Sequence, residues 1–493
     1  MIGIPILLSL LTACSDNSDN SGDNDIHANI PKSPEKVTVG FFSPGHVDRY
    51  VPYVQHSIVN IYPMRLPGGQ LRIDLGRLEM MLNYVNGFNH RITLELGPSI
   101  TDTVAPDQLN MSYTKLNGEP AQKAFKAMPK NKLKRLVSNE ELARRIEGLP
   151  ELIKQYRDNV GIILLVDEPY LNGVPKDELD RVILALKGIF AEHDLNDLAY
   201  GAVYASALFN KEFAGLINRK MMDYVERIDT YYHNKKHLLE DESKHGEKFR
   251  GWVNAINNHR LVTYDRANNM YIAGGLPQHI DYVGFDFYIS TTLLDSIHVD
   301  TLDYLHDLGM AECAGFDNVA MAEIQQQLSF IDDGPFVEDA AAMKADRKLL
   351  DKIFDCRMGA STKLLAAEIE KLKKPVNVFM IAESSANGVV EFDSKGRMEA
   401  DQPQAVVEQR IFDEVHRSYL FYLENKDFFN AGLVFFLYPD SFDHSINLQV
   451  LGAESADSVL DYIYSFSHPA TYDREAAKNI PDFEEFKGIY MRR

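Results

Sequence analysis

Gly161-Ile162-Ile163-Leu164-Leu165-Val166-Asp167-Glu168-Pro169 is a short apolar run that ends on two carboxylates and a proline. A run this short and continuously apolar fits a strand buried on both faces, as in a parallel sheet. Charge at its end is costly unless the strand opens there into a polar site. Segments of the same character occur at 37–43, 57–62, 92–96, 198–204, 282–288, 376–382 and 432–438, which makes eight candidate strands with 161–166. Between them lie stretches of helical period. Asp74 can cap a helix carrying Leu75, Leu78, Leu82 and Val85 on one face, with Gly87 at its end. Ser138 and Glu141 form a capping box before Leu142, Ile146, Leu149 and Ile153. Leu179, Val182, Leu186 and Phe190 continue the pattern, followed later by Val407, Ile411, Val415 and Tyr419, and by Val459, Ile463 and Phe466. The weakest crossover is 48–55.

Eight such strands with intervening helices predict an α/β fold, a (β/α)8 TIM barrel spanning residues 37–493. Segments 97–137, 206–280 and 290–374, after the third, fifth and sixth strands, exceed ordinary connections and read as long loop insertions on one face. No Gly-rich phosphate loop supports the alternative, an open nucleotide-binding sheet.

The active site of such a barrel lies at the strand C-termini. Asp167 and Glu168 end the fourth strand, and Glu383 ends the seventh in Ile381-Ala382-Glu383. By alternation Glu168 shares a row with Leu164 and Val166, and Glu383 with Phe379 and Ile381. The sixth strand reads Gly284-Phe285-Asp286-Phe287-Tyr288.

These three strand ends resemble glycoside hydrolase clan A, the retaining (β/α)8 glycosidases. The resemblance implies that Glu168 is the acid/base, within Asp167-Glu168-Pro169 where the clan has Asn-Glu-Pro. It implies that Glu383 is the nucleophile, with Tyr288 hydrogen-bonded to it, and Asp286 on the same strand end is a candidate substrate-binding residue. Arg65, after the second strand, stands where clan members carry an Arg that supports the nucleophile. His46, after the first, is a candidate substrate contact. Retention needs one carboxylic acid to protonate the leaving oxygen and a carboxylate about 5 Å away to attack the anomeric carbon. The implied partner is an oligosaccharide or polysaccharide, and no cofactor is implied.

Two departures bear on the substrate. Asp167 replaces the clan's Asn, and an ionised Asp only accepts hydrogen bonds. Trp252 is the chain's one tryptophan, so sugar stacking falls to Tyr438, Tyr204 and Tyr170. The Asp167-Glu168 pair also resembles hexosaminidases, in which the substrate's acetamido group is the nucleophile. A rival class is a metal-dependent barrel using Glu95, Asp167, Glu168, Asp286 and Glu383. Another is a surface glycan-binding lipoprotein without turnover.

Lys and Arg number 51 against 72 Asp and Glu, a net charge of −21 that disfavours a nucleic-acid partner. Against that background, Lys123, Lys126, Lys130, Lys132, Lys134 and Arg135 form a basic run. It reads as a solvated loop or a dock for uronic or sulfated sugar. Residues 2–11 are apolar but too short to span a bilayer, and Leu11-Thr12-Ala13-Cys14 follows them. That sequence resembles the bacterial lipobox. It implies a signal peptide at 1–13 and a lipid on Cys14, with the Ser/Asp/Asn/Gly-rich stretch 14–36 as a tether. Ser15 after the cysteine resembles outer-membrane sorting in enterobacteria, so the expected location is the bacterial envelope, with the membrane touched only through the lipid. The remaining cysteines, Cys313 and Cys356, could pair in an oxidising compartment.

Overall fold

Eight parallel strands close into a barrel in chain order: β1 (Val39–Ser43), β2 (His56–Asn60), β3 (Arg91–Glu95), β4 (Val160–Asp167), β5 (Ala199–Ala205), β6 (Tyr282–Asp286), β7 (Asn377–Glu383) and β8 (Gly432–Phe436). β8 returns to β1 in the register Val39↔Leu433 to Phe41↔Phe435. The computed structural model describes residues 37–88, 90–103, 114–118, 134–288, 301–316, 347–387, 390–392, 398–400, 404–443 and 448–467. Cys14, its tether and the basic residues from Lys123 to Lys132 lie outside the described residues. Every expected strand is present, its ends displaced by no more than two residues.

The continuous apolarity of the strands follows from two cores. An inner one fills the lumen with Phe42, Ile58, Leu164, Val203, Phe379, Ile381 and Val434. A larger outer one packs the other strand face against the helices. Helix α1 (Leu75–Asn86) is capped as expected, Asp74 Oδ1 accepting from the Arg77 amide at 3.0 Å. The apolar stripe from Leu142 to Ile153, in contrast, is divided between α2 (Asn139–Arg145) and α3 (Leu149–Gln155). Gly148 at φ 81° ends one segment, and Pro150 fits the first turn of the next. Residues 48–55 hold turns and no helix. Helices α4 (Lys176–Ala191), α7 (Arg347–Leu372), α8 (Gln404–Glu424) and α9 (Asp457–Ser467) complete the shell.

The connection from β5 to β6 departs from the repeating pattern. Helices α5 (Lys211–Lys235) and α6 (Lys244–Asn269) pair antiparallel, with Asn218 Nδ2 donating to Ala267 O at 2.6 Å and Arg260 bridging Asp229 at 2.5 and 2.7 Å. The chain then comes back to its starting point, where the Gly275 amide donates to Phe209 O. Residues 276–281 descend to β6 along α4, the amides of Gln278 and His279 donating to Asp180 at 2.8 and 2.9 Å. A short segment with a turn at 278–279 thus takes the place of a crossover helix, and the helix pair is an appendage at the strand C-termini.

Cys313 and Cys356 form a disulfide that joins the turn at Ala311–Cys313 to α7. Closing a loop over a sequence separation of 43 is worth about 4 kcal/mol in the chain-entropy picture.

Candidate active site

Side chains alternate along each strand, so the lumen is filled in layers. The layer nearest the strand C-termini takes Asn60 from β2, Glu95 from β3, Asp286 from β6, Glu383 from β7 and Phe436 from β8. Glu95, Asp286 and Glu383 are 1%, 6% and 2% exposed. Acids this deeply buried are costly unless hydrogen-bonded or protonated.

β4 joins this layer in a way that simple alternation does not give. Counting from Leu164 puts Glu168 inward and Asp167 outward. Pairing with β5 runs Leu164↔Gly201 and then Asp167↔Val203, so one residue is bulged. Leu165 and Val166 both fall into the outer core, and Asp167 takes the inner row. Glu168 follows at φ 47°, its amide donating to Val203 O at 2.9 Å. Asn172 Nδ2 closes the turn by donating to the carbonyls of Asp167 and Glu168 at 3.0 and 3.1 Å.

The carboxylates meet around one phenol. Burial pushes the Tyr288 hydroxyl well above its ordinary pKa, and the charges of Asp286, Asp167, Glu168 and Glu383 push it further. Tyr288 donates to the Asp286 carboxyl group, and the Ser206 amide donates to the Asp286 backbone carbonyl at 2.7 Å. Asp286 is nevertheless raised well above the usual carboxylate range, by burial and then by Glu168 and Asp167. Asp167 is raised likewise by burial, then by Glu168 and Glu95. Its Oδ1 is buried without a hydrogen-bond partner. Thus the two aspartates, held among like charges, favour their protonated forms. Glu383 Oε1 accepts from Ser385 Oγ at 3.0 Å. The Tyr288 and Phe436 rings stack with centroids 5.5 Å apart and add an apolar surface.

Glu95 organises the β3 side. Its carboxylate accepts from Asn60 Nδ2, from the Gly97 amide at 2.9 Å and from the Asp167 amide at 3.2 Å. A Cβ at residue 97 would collide with that carboxylate, so the close approach requires glycine. Burial still raises the Glu95 pKa. Among the described residues, no three His, Cys, Asp or Glu side chains converge as a metal ion would need.

No protein-family model matches the sequence, and no curated protein is similar to it. Among solved structures, the chain is similar to the GH53 catalytic domain of Ignisphaera aggregans, with 10% identity and a TM-score of 0.33. The match covers 89% of this chain and 97% of that one.

Several expected site residues are not part of the gathering. Tyr204 and Tyr438 do not offer faces to a sugar. Tyr204 lies on the outer side of β5, its ring 5.2 Å from Tyr170 and 6.1 Å from Phe209. Tyr170 is itself buried and donates to Gly275 O at 2.6 Å. Tyr438 packs edge-on against Phe41 and Tyr50 at 5.3 and 4.8 Å. Their places in the outer core explain the correction: an aromatic at a strand end serves the helices if its parity faces outward. Arg65 sits exposed on the hairpin of Pro63–Arg65 and Leu71–Ile73, donating to Gly69 O at 3.1 Å rather than supporting Glu383. His46 is half-buried and engaged by Asp48 at 3.5 Å and Pro44 O at 3.2 Å. Asp48 raises its pKa. Asn60, Ser385 and Phe436 were not singled out by sequence. Asn60 and Phe436 are visible in it once the inner row of each strand is counted to its end.

Proposed function

We propose that the chain is a glycoside hydrolase that cleaves an oligosaccharide or polysaccharide by retaining double displacement. Glu168 is the acid/base and Glu383 the nucleophile. One observation carries the reading: carboxylates ending the fourth and seventh strands of a closed barrel act on the same buried Tyr288 hydroxyl. Glu168 protonates the leaving oxygen while Glu383 attacks the anomeric carbon. Water then displaces Glu383 from the glycosyl-enzyme, giving up its proton to Glu168. Asp286 and Tyr288 hold the floor between them, and Phe436 with Tyr288 supplies an apolar face to the sugar ring. The chemistry calls for no cofactor.

The two glutamates differ in what their loss leaves behind. Glu168→Ala should retain turnover of aryl glycosides with good leaving groups while losing natural glycosides by about 10²–10⁴-fold. Azide should then yield a glycosyl azide of retained configuration. Glu383→Ala should be nearly inactive on both substrates, with any azide product inverted. Equal losses on both substrates and no azide product from either variant would sink the assignment.

A second reading is favoured by the buried, unpartnered Asp167 Oδ1. In a substrate-assisted hexosaminidase that oxygen would accept from the acetamide N–H, and the acetamide oxygen would replace Glu383 as nucleophile. The readings separate at Asp167.

We also propose that the protein is held at the bacterial cell envelope by a lipid on Cys14, with residues 14–36 as its tether. The Cys313–Cys356 disulfide supports an oxidising compartment. No helix among the described residues is long and apolar enough to cross a membrane. Replacing Cys14 with Ser should move the protein from the membrane pellet to the soluble fraction, and unchanged fractionation would count against the anchor.

A further inference from the structure

The barrel mouth is enclosed unevenly. Helices α5 and α6 rise from the end of β5, and α6 is braced from both sides. On the β3 side, Asn257 Oδ1 accepts from the Leu116 amide at 2.9 Å and Arg260 Nη1 donates to Thr114 O at 2.8 Å. On the β7 side, α6 meets the strand Val390–Phe392. The rim from β3 round to β7 therefore carries a wall. Among the described residues, β1 and β2 carry only the turns at 44–55 and the hairpin of Pro63–Arg65 and Leu71–Ile73.

Tyr62 stands on this low side, 47% exposed. It follows Ile61, whose amide donates to Glu95 O at 2.7 Å, and Asn60, whose side chain holds the Glu95 carboxylate. Gly45 at φ 83° lets the β1 turn pass against the ring, where a Cβ would come within 2.8 Å of it. Burial, then the charges of Glu95 and Asp167, raise the hydroxyl's pKa. An aromatic ring set against the β1 turn, with much of its surface open to water beside a carboxylate cluster, has the form of a sugar-stacking platform.

We propose that Tyr62 is the stacking residue of a subsite adjoining the cleavage point, and that the glycan leaves the site across β1 and β2. This rests on the glycosidase reading. The number of sugars bound on that side, rather than the chemical step, would then depend on Tyr62.

The test uses the full chain and cello-, xylo-, manno-, galacto- and chito-oligosaccharides from disaccharide to hexasaccharide. Tyr62→Ala should raise KM about tenfold for the longer members of the hydrolysed series. The loss should be several-fold smaller on the matching aryl monoglycoside, with kcat little affected. Tyr62→Trp should restore the dependence on chain length. A loss equal at all lengths, or none, overturns the proposal. If the wild type binds a series without cleaving it, the glycosidase reading falls alone, and the same length dependence read by calorimetry decides Tyr62. Binding to none of the series overturns both.

Discussion

At the scale of single residues, Asp167 separates the two enzymatic readings. Both use Glu168 as the acid, but only the hexosaminidase needs the Asp167 carboxylate to orient the nucleophile. Asn at this position keeps an acceptor and adds the donor found in the retaining glycosidases. Under double displacement, Asp167→Asn should stay within about tenfold of wild type, compared with the 10²–10⁴-fold loss expected without the acid. Activity on aryl glycosides and aryl N-acetylhexosaminides would decide between them. A variant as inactive as Glu168→Gln, seen only on the acetamido sugar, would transfer the assignment to the second mechanism. The identities of Asp167, Glu168 and Glu383 were legible because charge ending an apolar strand is expensive. Which member of the Asp167-Glu168 pair faces the lumen was not. A bulge is a property of pairing with β5, and nothing in Leu164-Leu165-Val166 marks it.

Among the elements, the strands were the most legible, since burial on both faces leaves continuous apolar runs whatever their neighbours do. Helices were legible where a cap and a stripe agreed, as at Asp74 and α1. The stripe through Leu142 and Ile153 was misleading because periodicity survives a break when both pieces face the same sheet. Gly148 followed by Leu149-Pro150 was the available signal. The passage from β5 to β6 was illegible for another reason. Period alone does not tell whether a helix covers the barrel side or stands on its rim, and the partners that decide it, Thr114 and Leu116, are far away in sequence.

For the molecule as a whole, buried titratable groups at the two ends of the barrel set opposing responses to pH. At the N-terminal end of β2, His56 stacks on Phe379 and bonds Thr93 Oγ1 at 2.8 Å. His90, just before β3, bonds Ser57 Oγ at 2.7 Å. Burial lowers their pKa values to about 3 and about 4. In the unfolded chain these histidines take up protons below about pH 6.5 while the native ones stay neutral. Stability is therefore lost as pH falls from about 6.5 towards their native values, by about 1.4 kcal/mol per pH unit for each. Asp167, Asp286 and Glu95 work the other way: raised in the fold, they stabilise in acid and lose that contribution as pH rises through their native pKa values. In thermal unfolding across pH, His56→Gln should flatten the acid limb by one histidine's slope near pH 5. An unchanged slope would remove His56 from the account. The helix pair has a consequence of another kind. Its two ends lie side by side at Asn218 and Ala267, so the ring of strands closes without it. Its reach, about 37 Å along α5, is thus a free variable of this architecture. Whole turns can be added or removed at the tip, changing how high the wall stands beside the barrel mouth while leaving every barrel hydrogen bond in register.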